Sequence, residues 1–149
     1  MVRRILHASD LSSASTRAFT HAVALARKNR AALTLLFVAN PLDPIPDGYV
    51  SPPTYRQLRK SAREYGRKGL VRLVAKAAQA GVRATAVVKE GTPWAEIVRA
   101  ARKRKAGLLV IGTHGRTGLS RLLIGSVARR VVGLASCPVL TVGARRRVA

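Results

Sequence analysis

The stretch LLVIGTHGRTGLSRLLIGSVARRVVGLA, residues 108–135, decides the fold. Leu108 to Ile111 form an unbroken aliphatic run, the pattern of a strand covered on both faces of a parallel sheet. From Ser126 the spacing turns helical, with Ala128 and Val131 on one side and Arg129 and Arg130 on another. Between them lies GTHGRTGLSRLLIGS, Gly112 to Ser126, with four glycines. A strand-to-helix turn needs only a few residues, yet twelve separate Gly112 from Gly125. The tract is either a long glycine-rich connection or an anion cradle. Gly112 and Gly115 can turn several amide N–H groups toward one point. Gly125-Ser126 opens a helix whose first N–H groups lack intrahelical partners and whose dipole favours an anion. Ser126 Oγ suits a phosphate and a helix cap equally.

Outward from this tract, strand-like and helix-like segments alternate. Arg3 to Ala8, Ala32 to Ala39, Arg83 to Lys89, Gly107 to Gly112 and Pro138 to Val142 read as five strands. Helical spacing runs from about Ser13 to Asn29, Thr54 to Ala80, Thr92-Pro93 to Lys105, and Ser126 to Ala135. NPLDPIPDGYVSPP, residues 40–53, holds five of the seven prolines and is expected to be an irregular, mobile cover. Strict alternation with right-handed crossovers predicts an α/β chain, a single-domain open parallel five-stranded sheet with helices on both faces. The length of 149 residues fits one domain, residues 1–149, and no internal repeat is visible.

Ligands of such sheets bind beyond the carboxyl ends of the strands, where strand order reverses. Asp10 follows the first strand and Val38 closes the second, so both lie with the glycine tract at that end. A lone Asp after a buried strand, as Asp10 is, more often caps a helix than binds a ligand, a weighting that the glycine tract changes. The phosphate-loop pattern GxxxxGK[ST] is absent, and Gly112, Gly115 and Gly118 have neither the spacing nor the strand position of a dinucleotide fingerprint.

Composition narrows the rest. A hydrophobic share of 48% and a mean hydropathy of +0.07 separate this chain from disordered basic tails. No apolar run approaches the roughly 20 residues of a membrane span, so a cytoplasmic location is expected. One cysteine and three scattered histidines offer no metal-ligand spacing. Lys and Arg number 28 against 6 acids, a formal charge of +22 that attracts polyanions through a field that salt screens. Solvated helix faces account for much of this charge. The runs Arg102 to Lys105 and Arg145 to Arg147 stand out as candidate contacts for nucleic acid or another polyanion.

The glycine tract resembles the signature of the ATP-binding branch of the universal stress proteins, G-x2-G-x9-G-[ST], at Gly112, Gly115, Gly125 and Ser126. RRILHASDLSSAS resembles the opening strand of that family with its ligand-side Asp, EGTPWAEIV its Gly-x-Pro helix start, and ASCPVLTV its closing strand. One departure is Ala8-Ser9, where members often carry Pro-Thr or Pro-Val. The resemblance implies a Rossmann-like sheet of the adenine nucleotide alpha hydrolase type, and ATP as ligand, with Mg or Mn held mainly by the phosphates. It places Asp10 near the ribose, Val38 at the adenine through its backbone, and Gly112, Gly115, Gly125 and Ser126 at the phosphates and ribose. It also implies a homodimer through the last strand, Val139 to Val142.

His114 and Arg116 lie within the loop and can approach a γ-phosphate. The tract has no carboxylate to orient a water, which favours a regulatory nucleotide binder over a dedicated hydrolase. A basic interaction protein of the same fold and a slow ATP hydrolase are the alternatives. His7, Ser9 and Asp10 invite comparison with a catalytic triad, but neighbours on a strand end do not converge by default. Trp94 is expected to pack at the domain edge, Cys137 to be a small buried residue, and His21 to lie on the surface or in packing.

Overall fold

The computed structural model describes residues 1–40, 50–114 and 124–143. Five strands, β1 (Arg4–Ala8), β2 (Ala32–Ala39), β3 (Ala84–Glu90), β4 (Leu108–Gly112) and β5 (Val139–Val142), form one parallel sheet in the order β3-β2-β1-β4-β5. The helices are α1 (Thr16–Asn29), α2 (Pro52–Gln79), α3 (Pro93–Lys103) and α4 (Ser126–Leu134). The expected α/β architecture is therefore the observed one. No helix among the described residues is long and apolar enough to cross a membrane.

Alternation of side chains along the strands divides the core in two. Ile5, Leu33, Leu35, Phe37 and Val110 face α1 and α2, whose Ala18, Phe19, Ala22, Ala26, Leu70 and Ala77 cover them. Leu6, Ala8, Leu36, Leu109 and Ile111 face α3 and α4, covered by Ile97, Ala100, Ala101, Ala128 and Val131. Burial on both faces explains why these strands read as continuous apolar runs.

Element ends depart from the sequence expectation by a few residues, each for a local reason. Ser13–Ser15 form a 3-10 turn before α1, and α2 begins at Pro52, because proline lacks only an N–H that the first helical turn leaves unused. Ser51 Oγ caps α2 by accepting from Thr54 N. Thr92 occupies the N-cap of α3, a position that suits its hydroxyl, but makes no side-chain hydrogen bond to the helix. That helix stops at Lys103, and Lys105 takes a left-handed conformation (φ 52°) before the chain enters β4. The segment 41–49, which holds most of the expected cover, lies outside the described residues.

His7 lies fully buried on β1, beside the Phe19 ring, with Nδ1 3.0 Å from the Val110 carbonyl. That contact assigns the proton to Nδ1 and leaves Nε2 as a buried acceptor without a partner among the described residues. Burial disfavours the imidazolium and lowers the His7 pKa from 6.5 to about 4. The unfolded chain takes up this proton near pH 6.5, whereas the folded chain resists it until about pH 4. The folded state is therefore disfavoured as the pH falls through that window. Urea titrations at pH 7 and pH 5 are expected to differ by about 2 kcal/mol from this group. His7→Leu, which cannot titrate, is expected to remove that part of the pH dependence; an unchanged slope would show that the imidazole is not held neutral.

Candidate functional site

From β1 the chain moves through α1 to β2 on one side, and β4 lies on the other, so strand order reverses between β1 and β4. Their carboxyl ends are in register at Ala8 and Ile111. Asp10 and Gly112 thus flank the one crevice where an open sheet presents diverging loops.

A hydrogen-bond network shapes the β1 side. Asp10 Oδ1 accepts from Ser12 N (2.9 Å) and Ser12 Oγ (2.5 Å), folding the loop back on itself. Ser9 Oγ accepts from Leu11 N at 3.0 Å and lies 3.1 Å from Ser15 Oγ. Asp10 is accordingly the organiser of an Asx turn rather than the N-cap of α1, a position taken by Ser15. No hydrogen bond joins His7, Ser9 and Asp10 among the described residues, because each engages a different partner. Leu11 adopts φ 64°, a conformation that side-chain-bearing residues pay for, and packs against α2 at Gly69. A Cβ on Gly69 would stand 2.4 Å from Leu11 Cδ1, so this glycine makes room for the strained turn.

On β2, Leu36 turns its carbonyl toward β1, where Ser9 N donates to it at 2.9 Å. Ala39 turns its carbonyl toward β3, where Gly91 N donates at 3.0 Å. Backbone groups alternate sides along a strand, so Val38 directs its N–H and C=O to the side of β1. The pairing of β1 with β2 ends at Ala8 and Leu36, which leaves no β1 residue opposite Val38. Among the described residues, Val38 thereby has no backbone partner on the β1 side and presents that edge at the crevice.

The β4 side is closed by the chain itself. Thr113 N donates to the Val142 carbonyl (3.0 Å), and Gly125 N donates to the Thr113 carbonyl (2.7 Å), drawing the start of α4 back to the end of β4. Gly125 is the N-cap of α4 and Ser126 its first residue; the N-cap, a glycine, makes no side-chain hydrogen bond to the helix. Ser126 is therefore not the cap, and its hydroxyl is not committed to that role. Thr113 Oγ1 lies 2.8 Å from His114 Nδ1, which orients the imidazole at the mouth of the loop. Gly112 does not use the left-handed freedom that glycine permits, since its φ is not positive, and Gly125 has φ -58° at the helix start. Gly115 and Arg116 lie outside the described residues.

The carboxyl ends of β1, β2 and β4 and the start of α4 thus carry Asp10, Val38, Gly112, His114, Gly125 and Ser126 on the same side of the sheet. Chain order alone does not point to Thr113, Leu11 or Gly69. A paired Gly66 and Gly69 inside a long helix is the legible signal for the last, because glycine is penalised there unless packing demands it. Among the described residues no group of His, Cys, Asp and Glu is arranged to hold a metal ion.

The model of the universal stress protein family matches residues 1–143. The chain belongs to this family. A universal stress protein of Methanocaldococcus jannaschii is 35% identical over 142 residues, covering 95% of this chain and 82% of that protein. Universal stress protein YxiE of Bacillus subtilis is 33% identical over 147 residues, covering 95% and 99% of the two chains. Among solved structures, the universal stress protein UspA from Lactobacillus plantarum superposes with a TM-score of 0.83 at 26% identity, over 94% of this chain and 97% of its own. A universal stress protein in complex with cAMP superposes with a TM-score of 0.71 at 25% identity, covering 97% and 99%. A family member from Arabidopsis thaliana with AMP bound gives 0.70 at 26% identity, covering 96% and 92%.

Elsewhere on this universal stress protein, Trp94 packs against the α3/α4 core with the Arg130 guanidinium 5.3 Å from its ring centroid, in keeping with an edge-packing role. Cys137 is half-buried rather than fully enclosed, and burial raises its thiol pKa. His21 is exposed on α1.

Proposed function

We propose that this universal stress protein binds an adenine nucleotide, ATP foremost, in the β1/β4 crevice and uses its occupancy to regulate a partner. What supports this reading is the placement, at strand ends beside the switch point, of a Val38 backbone edge with no partner among the described residues, the Asp10 turn, and the glycine-started helix α4. The purine suits Val38, because a base edge carries a donor and an acceptor side by side, as a strand edge does. Asp10 presents a carboxylate to the ribose hydroxyls. Gly112, Gly125 and Ser126, with the first amides of α4, provide the anion site for phosphates, and Gly115, His114 and Arg116 extend it. AMP and cAMP in the related structures support an adenine ligand. A divalent ion, Mg or Mn, would ride on the phosphates and neutralise them, since the described residues offer it no ligand cluster. No catalytic role is assigned to any residue.

Denaturing the purified protein and identifying the released small molecules by mass spectrometry, followed by calorimetric titration with ATP, AMP and cAMP, tests this reading. An adenine nucleotide in the released fraction, or a dissociation constant below about millimolar, is the expected result. Neither outcome appearing would overturn it.

The chain is proposed to act as one universal stress protein domain, paired through β5. Pro138 and Val142 turn their carbonyls to Leu109 and Thr113 of the β4 side, so Val139 and Thr141 direct their backbone groups to the open sheet edge. The exposed Ile124, Val132 and Leu134 belong to the adjoining α4 segment. Proline is tolerated at an edge when its missing N–H points outward. Thr141→Pro is accordingly expected to retain the fold and convert a dimer to a monomer in light scattering. A dimer that persists in that variant would place the interface elsewhere.

A further inference from the structure

The described acids and bases are unevenly placed, and the basic row that lines a groove is neither of the runs that stand out in the sequence. Arg102 and Lys103 end α3, while Arg145 to Arg147 lie outside the described residues. The α2 helix instead carries Arg56, Arg59, Lys60, Arg63 and Arg67, at helical positions i, i+3, i+4, i+7 and i+11, which aligns them on one helical face. These five, with Glu64 and Val88 of β3, line an open groove of about 540 Å³ along the β3 edge of the sheet. Two of the cations are held by acids, Arg59 by Glu90 at 2.5 Å and Arg67 by Glu64 at 3.1 Å. Arg56, Lys60 and Arg63 are exposed and engage no described hydrogen bond or ion pair.

We propose that this α2/β3 groove is a docking surface for the sugar-phosphate backbone of double-stranded nucleic acid. From residue 56 to residue 67 the helix advances about 16 Å. A duplex strand presents a phosphate every 3.4 Å along its axis, so the row spans roughly five phosphates of one strand. An extended polyanion can engage the whole row, whereas a small anion meets only one or two cations. Single strands are held by stacking on aromatic platforms; among the described residues no aromatic side chain lines the groove, and the nearby Tyr55 ring faces the Arg59 guanidinium at 5.7 Å. Membrane helices of this charge insert an apolar face, but here Gly66, Gly69, Leu70 and Ala77 of α2 are turned into the protein. Binding through phosphates predicts little sequence preference and a steep dependence on salt.

The test uses the full chain, a fluorescently labelled 25-base-pair duplex in two unrelated sequences, and anisotropy titrations between 50 and 200 mM salt. The wild-type protein is expected to bind both duplexes alike. The triple variant Arg56→Gln/Lys60→Gln/Arg63→Gln leaves both ion pairs intact. It is expected to weaken binding on the order of 100-fold at 0.1 M salt and to reduce the log–log salt slope by about 2.7, the loss of three phosphate contacts. Arg102→Gln/Lys103→Gln/Arg104→Gln removes the same charge at the end of α3 and is expected to change affinity less than about threefold. Both variants are expected to keep wild-type melting curves and adenine-nucleotide affinity, so the outcome is independent of the crevice reading. Equal losses in the two variants would mean diffuse charge and overturn the proposal. So would absence of binding at 50 mM salt, tighter binding to a single strand of the same length, or tighter binding to phosphatidylserine vesicles than to the duplex.

Discussion

Gly112→Val is expected to raise the dissociation constant for adenine nucleotides at least 100-fold, about 2.7 kcal/mol, while the urea stability changes by less than about 1 kcal/mol. The asymmetry follows from what surrounds this glycine. Its φ is not positive, so the backbone does not demand glycine. A Cβ at this position would meet the His114 carbonyl oxygen at 3.5 Å, the Ala14 carbonyl oxygen at 3.9 Å and Ser15 Cα at 3.9 Å, all ordinary contacts. Valine also suits a strand end. The fold therefore has little use for glycine at residue 112, and the remaining use is a close approach of something outside the chain. Gly125 gives a less clean test, because its Cβ would stand 3.1 Å from the Thr113 carbonyl oxygen and substitution would disturb the helix start itself. Calorimetry with ATP and urea denaturation on the same preparation decide the matter. Nucleotide binding that survives Gly112→Val would remove β4 from the phosphate site. Gly112→Ala adds only the methyl and serves as the check that the larger side chain did not act through misfolding.

Gly66→Val is expected to destabilise the protein by about 3 kcal/mol. Helix propensity alone would predict the opposite sign, because glycine is among the poorest helix formers. Packing overrides it here. A Cβ on Gly66 would lie 2.2 Å from Phe37 Cδ1 and 2.7 Å from Cε1. The Phe37 ring has little room to yield: it is 7% exposed and meets the Tyr65 ring edge-on at 5.9 Å. Inserting a branched side chain must then lift α2 from β2 or drive the ring off its rotamer. Phe37→Leu in the same chain, which shrinks the obstacle, is expected to recover part of the loss in a double-mutant cycle. A Gly66→Val protein as stable as wild type in urea would mean that α2 does not approach the sheet this closely. The effect reaches toward the crevice, because Gly69, one turn on, seats Leu11 beside Asp10.

Part of the crevice is legible in the residues alone. Largely apolar runs before Asp10 and Gly112 mark the strand ends, since strands buried on both faces of a parallel sheet are near-continuously apolar, with His7 the buried polar exception on β1. The distance from Gly112 to Gly125 signals more than a turn. Other features have no such signal. Whether Val38 offers or spends its backbone groups depends on where β1 stops pairing, which is a matter of register between distant segments. Asp10 taken alone reads more as a cap than as a ligand group in the sequence, and only its hydrogen bonds to Ser12 fix it as a turn organiser. The basic row on α2 is visible as spacing, but the compact runs at Arg102 and Arg145 are more conspicuous because local density does not reveal which cations share a groove.

By itself, the order of residues determined the alternation of strands and helices, the parallel sheet, and the end of it at which a ligand would sit. These follow from local hydrophobic period and from the handedness of crossovers, which are properties of short segments. Tertiary structure alone decided that β4 lies beside β1 and that Gly66 and Gly69 admit Phe37 and Leu11. It also decided that His7 is buried neutral. Each of these depends on close packing between residues far apart in the chain, where a difference of one methyl group or one register step changes the outcome.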